Sequence, residues 1–238
     1  LSNASNDFSG AVSLSNSGTN DVSLTDVNAL DLGTVSVGQN LTVTTGGALT
    51  DSGAITVGSL ATLVSTGQSV TLGDSTTANF GSLDFAGAAV SIKEGSSMEI
   101  AASEATGILT LEASGAITQT GAIDADLASS FTAGANAITL SNASNDFSGA
   151  VSLSNSGTND VSLTDVNALD LGTVSVGQNL TVTTGGALTD SGAITVGSLA
   201  TLVSTGQSVT LGDSTTANFG SLDFSGAAVS ITEASAME

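Results

Sequence analysis

The chain has no cysteine, proline, tryptophan, tyrosine or histidine, and Lys93 is its sole basic residue. Each absence excludes a class of chemistry. Without Cys there is no disulfide, no thiolate nucleophile and no Cys-ligated zinc. Without His or Cys, nucleophilic catalysis of the Ser-His-Asp or Cys-His kind has no base. Lys93 lies in Ser91-Ile92-Lys93-Glu94-Gly95, which is not a GxxxxGK[ST] phosphate loop. A paired-carboxylate glycosidase would need a cleft and sugar-stacking aromatics, and Trp and Tyr are missing. The expectation is a protein with no catalytic and no cofactor-binding residues.

Against the single Lys stand 22 Asp plus Glu, for a formal net charge of −21. Such a surface repels phosphate backbones, so nucleic acid is not an expected partner. There is no polybasic segment or basic amphipathic helix to hold an anionic membrane, and no apolar run of membrane-span length. No signal peptide is recognisable. Leu1 and the final Ala236-Met237-Glu238 both lie inside repeats, so the chain reads as a segment of a longer polypeptide, in which targeting signals would lie elsewhere.

What is present is repetition. Residues 1–99 recur at 140–238 with four differences, Ala86/Ser225, Lys93/Thr232, Gly95/Ala234 and Ser97/Ala236. The first unit is therefore 1–139, and 140–238 is a second, truncated copy. An older repeat lies inside the unit. LTVTTGGALTDSGAI from Leu41 aligns with LTLEASGAITQTGAI from Leu109, through Gly47/Gly115, Gly53/Gly121 and Ile55/Ile123. The halves, about 41–108 and 109–139 continuing into the next copy, are about 68 and 71 residues long. Long tandem repeats point to units that stack on copies of themselves.

Within each half, apolar-polar-apolar triplets recur: Val12-Ser13-Leu14, Val22-Ser23-Leu24, Leu41-Thr42-Val43, Ile55-Thr56-Val57, Val70-Thr71-Leu72, Val90-Ser91-Ile92. Alternation of this kind marks a strand with one buried face. Gly, Asn, Asp and Ser clusters between the triplets are turn formers. No apolar stripe of period 3.6 is long enough for a helix. These features predict an all-β protein, a parallel β-helix (β-solenoid) with about three short strands per coil, right-handed by the usual rule for parallel crossovers. Coils are expected at Leu41–Val57, Ala61–Phe85 and Val90–Thr106, with 19–28 residues each, in one continuous solenoid of ten or eleven coils. At about 4.8 Å per coil the chain would be about 50 Å long. A pair of β-sandwich domains is the alternative, but sandwich strands are longer and hairpin-linked.

The run SNDFSGAVSLSNSGTNDVSLTDVNALDLGTVSVGQNLTVTTGGALTDSGAITVG from Ser5, and GILTLEASGAITQTGAI from Gly107, resemble repeats of filamentous-haemagglutinin-like surface proteins of bacteria. The resemblance covers essentially the whole chain and is one of repeat texture. It implies a right-handed parallel β-helix, secretion across the outer membrane, an extracellular or cell-surface location, and work as a fibrous adhesin or matrix protein. The amino-terminal secretion domain of that family is not visible.

Several residues invite a functional reading beside a structural one. Asp21, Asp26 and Asp31 are evenly spaced and recur as Asp160, Asp165 and Asp170, which suggests calcium on stacked turns. The Gly-Gly-x-Gly-x-Asp signature of calcium β-rolls is missing, and turn capping or decoration of the solvent face is the plainer reading. Asn3, Asn6, Asn16, Asn20 and Asn28 cluster at turns, where amides can form ladders between coils. Asn3-Ala4-Ser5 and Asn40-Leu41-Thr42 fit a glycan-acceptor pattern that arises by chance in such a composition. Phe8, Phe80, Phe85, Phe131 and their repeats are expected to fill the core; an exposed Phe stack joining fibres is the sharper alternative. The expected activity is structural, with self-association into filaments and cell-surface or matrix partners. The alternative is a lateral face that adheres through weak, repeated contacts.

Overall fold

A computed structural model describes residues 1–213 and 215–234; Ala236, and with it the fourth difference between the copies, lies outside them. The described residues form 24 strands and no helix. The strands pair in parallel and in register, each with its counterpart one coil later. Val22 pairs with Leu41, Leu41 with Ala61, and Ala61 with Leu83, so that successive coils take 19, 20 and 22 residues. About 11 turns result, a β-solenoid as the alternating triplets predict.

Two strand lengths recur, for one reason. Where a turn intervenes, as between Leu41–Thr45, Leu49–Asp51 and the next segment, strands have three to five residues. Where the chain rounds a corner without leaving the ladder, they run on: Ile55–Ser65 has 11 residues and its register shifts between Val57 and Leu60, which is the corner. No break separates the two copies, because the strand Ile138–Leu140 spans the junction between residues 139 and 140.

Inward residues form columns down the axis. Leu24, Val43, Leu63 and Phe85 stack in adjacent coils, each fully buried. Leu30, Leu49, Val70, Val90 and Leu109 form a second column. Each such side chain contributes roughly 1.5–3 kcal/mol by leaving water. Phe131 and Phe147 meet edge to face, with ring centroids 5.9 Å apart.

Two expectations are corrected. The coil expected at Ala61–Phe85 is too long: Leu83 already stacks on Ala61 and Phe85 on Leu63, so both belong to the following coil. That following coil, expected at Val90–Thr106, instead begins at Leu83 and ends before Ile100, which stacks on Leu83 after only 17 residues. Turn length varies more between coils than triplet spacing suggests. Nor do all phenylalanines fill the core. Phe80, Phe85, Phe131, Phe147 and Phe219 are buried, but Phe8 is half-buried and Phe224 is exposed, because these two lie on the first and last described coils.

Candidate functional site

The paired aspartates are not drawn to one point. Asp26 and Asp165 close the strands Val22–Asp26 and Val161–Asp165 with their side chains inside the solenoid. Asp26 Oδ1 accepts the N–H groups of Phe8 at 3.0 Å and Val27 at 3.1 Å. Asp165 Oδ1 accepts that of Phe147 at 2.9 Å. Asp21 lies outside and accepts the Asn40 N–H at 3.2 Å; Asp160 accepts both the N–H and the side-chain amide of Asn179. Asp31 accepts the Ser52 hydroxyl at 2.7 Å, and Asp170 holds the equivalent strand position in the second copy. The carboxylates that bond a neighbouring coil, the preceding one for Asp26 and Asp165 and the following one for Asp21, Asp31 and Asp160, act as pins between coils. Among the described residues no group of three acidic side chains is placed to hold a metal ion.

Three interior polar sites went unread in the sequence. Asp51 Oδ1 accepts the Gly73 N–H at 2.9 Å and Oδ2 the Thr76 hydroxyl, and Asp190 repeats this with Gly212 and Thr215. Glu94 Oε1 accepts the Phe80 N–H at 3.0 Å and the Ser96 hydroxyl at 2.9 Å. Asn145, wholly buried, forms a reciprocal amide pair with Gln119: Gln119 Nε2 donates to Asn145 Oδ1 at 2.8 Å and Asn145 Nδ2 to Gln119 Oε1 at 2.9 Å. A signal for the carboxylates existed. In Val22-Ser23-Leu24-Thr25-Asp26 the acid occupies the inward register of Val22 and Leu24.

Burial leaves its mark on these acids. It pushes the Asp165 carboxyl up to about 6, aided by the charge of Asp146 and opposed by the N–H groups of Phe147, Asn167 and Val166. It also raises Glu94, against the Phe80 N–H and the Ser96 hydroxyl. The second oxygens of Asp26, Asp165 and Glu94 are buried without a hydrogen-bond partner. Glu104, Asp124 and Asp146 stand in register on adjacent strands. Asp124 is raised by burial and then by the charges of Asp146 and Asp126. Stacked like charges oppose the fold.

The remaining surface is shallow. One open hollow of about 490 Å³ is bordered by Phe8, Asn28, Asp31 and Thr50. A second, of about 440 Å³, is bordered by Asp84, Phe85, Glu104 and Asp124. Asn3 and Asn40 are engaged in turns and between coils, through the N–H groups of Ser5 and Leu60. Asn28 donates to Asp7 at 2.7 Å, a contact that Asn167 and Asp146 repeat at 2.6 Å. Lys93 pairs with Glu112 at 2.8 Å, with both side chains about half exposed. Among the described residues no helix is long and apolar enough to cross a membrane.

A family model described as repeats of unknown function matches residues 19–85, 87–154 and 158–229. The starts lie 68 and 71 residues apart, the lengths of the two halves of the unit. No curated protein matches the chain, and no solved structure does. With three matches spanning most of its length, the chain belongs to this family of repeats, DUF5649.

Proposed function

We propose that the chain is a non-catalytic structural element, a stretch of the shaft of a secreted bacterial surface fibre. The observation that carries this reading is the unbroken ladder across the copy junction at Ile138–Leu140. Adding a unit adds length and leaves the cross-section unchanged. The texture shared with filamentous-haemagglutinin-like proteins supports a cell-surface setting. A single Lys also leaves trypsin-like proteases almost no site, which suits exposure outside the cell. No metal or cofactor is needed for this role.

Small-angle scattering on one, two and three tandem units tests the reading. The longest dimension should grow by about 34 Å per 139-residue unit, because seven coils at about 4.8 Å separate the strand Leu30–Val37 from its copy Leu169–Val176. In a cell that makes the parent protein, deleting one unit should shorten the fibre by the same step. Growth in all dimensions, or an unchanged fibre, would refute it.

One observation favours a second reading, lateral adhesion. Val27, Ile108, Leu127 and Val166 are exposed, and all four lie in turns that lead into the same ladder of strands. Replacing all four by Ser should abolish adhesion if this edge makes the contacts and leave it intact if the shaft is passive.

A further inference from the structure

Asp84, Glu104 and Asp124 border an open hollow of about 440 Å³ on the side of the solenoid, midway along the chain. Its floor is apolar: Val64, Ala86, Ala102 and Ala122 line it, mostly small side chains where longer ones would fill the space. None of Val27, Ile108, Leu127 and Val166 takes part. The groove is thus separate from the apolar edge.

The charge along it is placed at a cost. Thr25, Thr44, Val64 and Ala86 stand in register in one outward column and carry no charge. The column then turns acidic. Ala86 pairs with Glu104, Glu104 with Asp124 and Asp124 with Asp146, so three carboxylates occupy consecutive coils in a row about 10 Å long. Asp84, two residues before Ala86 on the same strand face, adds a fourth. Like charges in such a register oppose the fold. Burial raises the Asp84 carboxyl, and it raises that of Asp124 together with the charges of Asp146 and Asp126. The sole basic residue of the chain, Lys93, pairs with Glu112 and does not border the groove. An arrangement that costs stability with no compensating contact is the kind that function maintains.

We infer that this groove docks an extended segment of a partner protein with Lys or Arg at alternate positions. A long cationic side chain suits an apolar floor edged by carboxylates: the methylene stem packs on the alanines and the head meets the acids. An extended segment laid along the axis presents alternate side chains about 6.6 Å apart on one face, so two of them cover the row. A small cation would leave the floor unused, and among the described residues no three acids are placed to hold a metal ion. A second copy of the chain offers one Lys, already paired, and brings a further −21 to the contact. Nothing in this assignment depends on the shaft reading.

Fluorescence anisotropy on the 238-residue chain tests it, with a labelled peptide that alternates Lys and Ser as the probe, in about 0.1 M NaCl so that distant charges are screened. The peptide should bind, and one of the same composition with its lysines in a single block should bind more weakly. Asp84→Asn, Glu104→Gln and Asp124→Asn together should weaken binding of the alternating peptide about tenfold, the scale of three partly exposed ion pairs. Asp21→Asn, Asp74→Asn and Asp160→Asn together remove the same charge elsewhere and should weaken it less than about twofold. Ala102→Leu keeps every charge but fills the floor, and should also weaken binding. Equal losses in the two triple variants, undiminished affinity in Ala102→Leu, equal binding of the two peptides or no binding at all would overturn the inference. Displacement of the peptide by CaCl2 beyond that by NaCl at matched ionic strength would overturn it in favour of a metal site.

Discussion

The Asp165 carboxylate reaches from inside the solenoid to the Phe147 N–H of the preceding coil, 2.9 Å away, while its other oxygen is buried without a partner. It thus holds two coils together and at the same time carries a charge that the interior solvates poorly. Its carboxyl is raised to about 6, above the ordinary aspartate value near 3.9 of an unfolded chain. Between those values the native state binds more protons than the unfolded state. The contribution is full below about pH 4 and is lost as pH rises toward 6. Urea midpoints should therefore fall from pH 4 to pH 7. Asp165→Asn should flatten the profile and exceed the wild type at pH 7 by about 2 kcal/mol, with no advantage at pH 4. A wild-type midpoint that rises over this range would contradict the assignment.

Phe85 and Phe224 are the same residue in the same local sequence, yet among the described residues a further coil covers only Phe85. Phe85→Ala should cost about 3–5 kcal/mol, the usual range for a core aromatic. Phe224→Ala should cost less than about 1 kcal/mol. Denaturant unfolding of the two variants measures the contribution of the covering coil with everything else held nearly constant. Equal losses would mean that the columns do not extend through the stack as described.

Gly67 and Gly73 both adopt positive φ, +68° and +75°, but their surroundings differ. At Gly67 an added Cβ meets open space; at Gly73 it runs into the carbonyl oxygen of Lys93 in the next coil. Gly67→Ala should cost about 1 kcal/mol, the backbone penalty alone. Gly73→Ala should cost more than about 2 kcal/mol, because the coils must also separate. Thermal melts of the two variants distinguish the terms.

Most of the fold was legible because its rule is local. Val22-Ser23-Leu24 and its relatives reveal which side chain points inward without any knowledge of neighbours, and stacking follows from repetition. What failed to show depended on distance along the chain. Phe85 was placed one coil early because the turn between Leu72 and Ala78 is two residues longer than the equivalent turn between Asp51 and Ile55, a difference that triplet spacing does not announce. The Asn145–Gln119 pair joins residues 26 apart that come from different copies of the 139-residue unit. Its counterpart Asn6 in the first copy donates to the Leu1 and Thr25 carbonyls, as Asn145 does to those of Leu140 and Thr164. The inward Asp26 was hidden by expectation rather than by distance: aspartate reads as a turn residue, although its register was that of Leu24.

Charge supplies the last prediction. With a net charge of −21 and the in-register acids Glu104, Asp124 and Asp146, the folded chain repels itself. Salt screens such repulsion over about 10 Å at 0.1 M. The melting temperature should therefore rise as NaCl is raised from low concentration toward 0.5 M. Calcium separates screening from binding. Asp21, Asp26 and Asp31 accept hydrogen bonds from different partners, the N–H groups of Asn40, Phe8 and Val27 and the Ser52 hydroxyl, and the remaining oxygens of Asp26 and Asp31 are buried, so the three carboxylates do not converge on one site. CaCl2 and MgCl2 at matched ionic strength should consequently give the same rise, and a chelator should remove no more than the screening contribution. A shift specific to calcium, lost on Asp21→Asn or Asp31→Asn, would instead mean that these turns give up their hydrogen bonds to bind the ion.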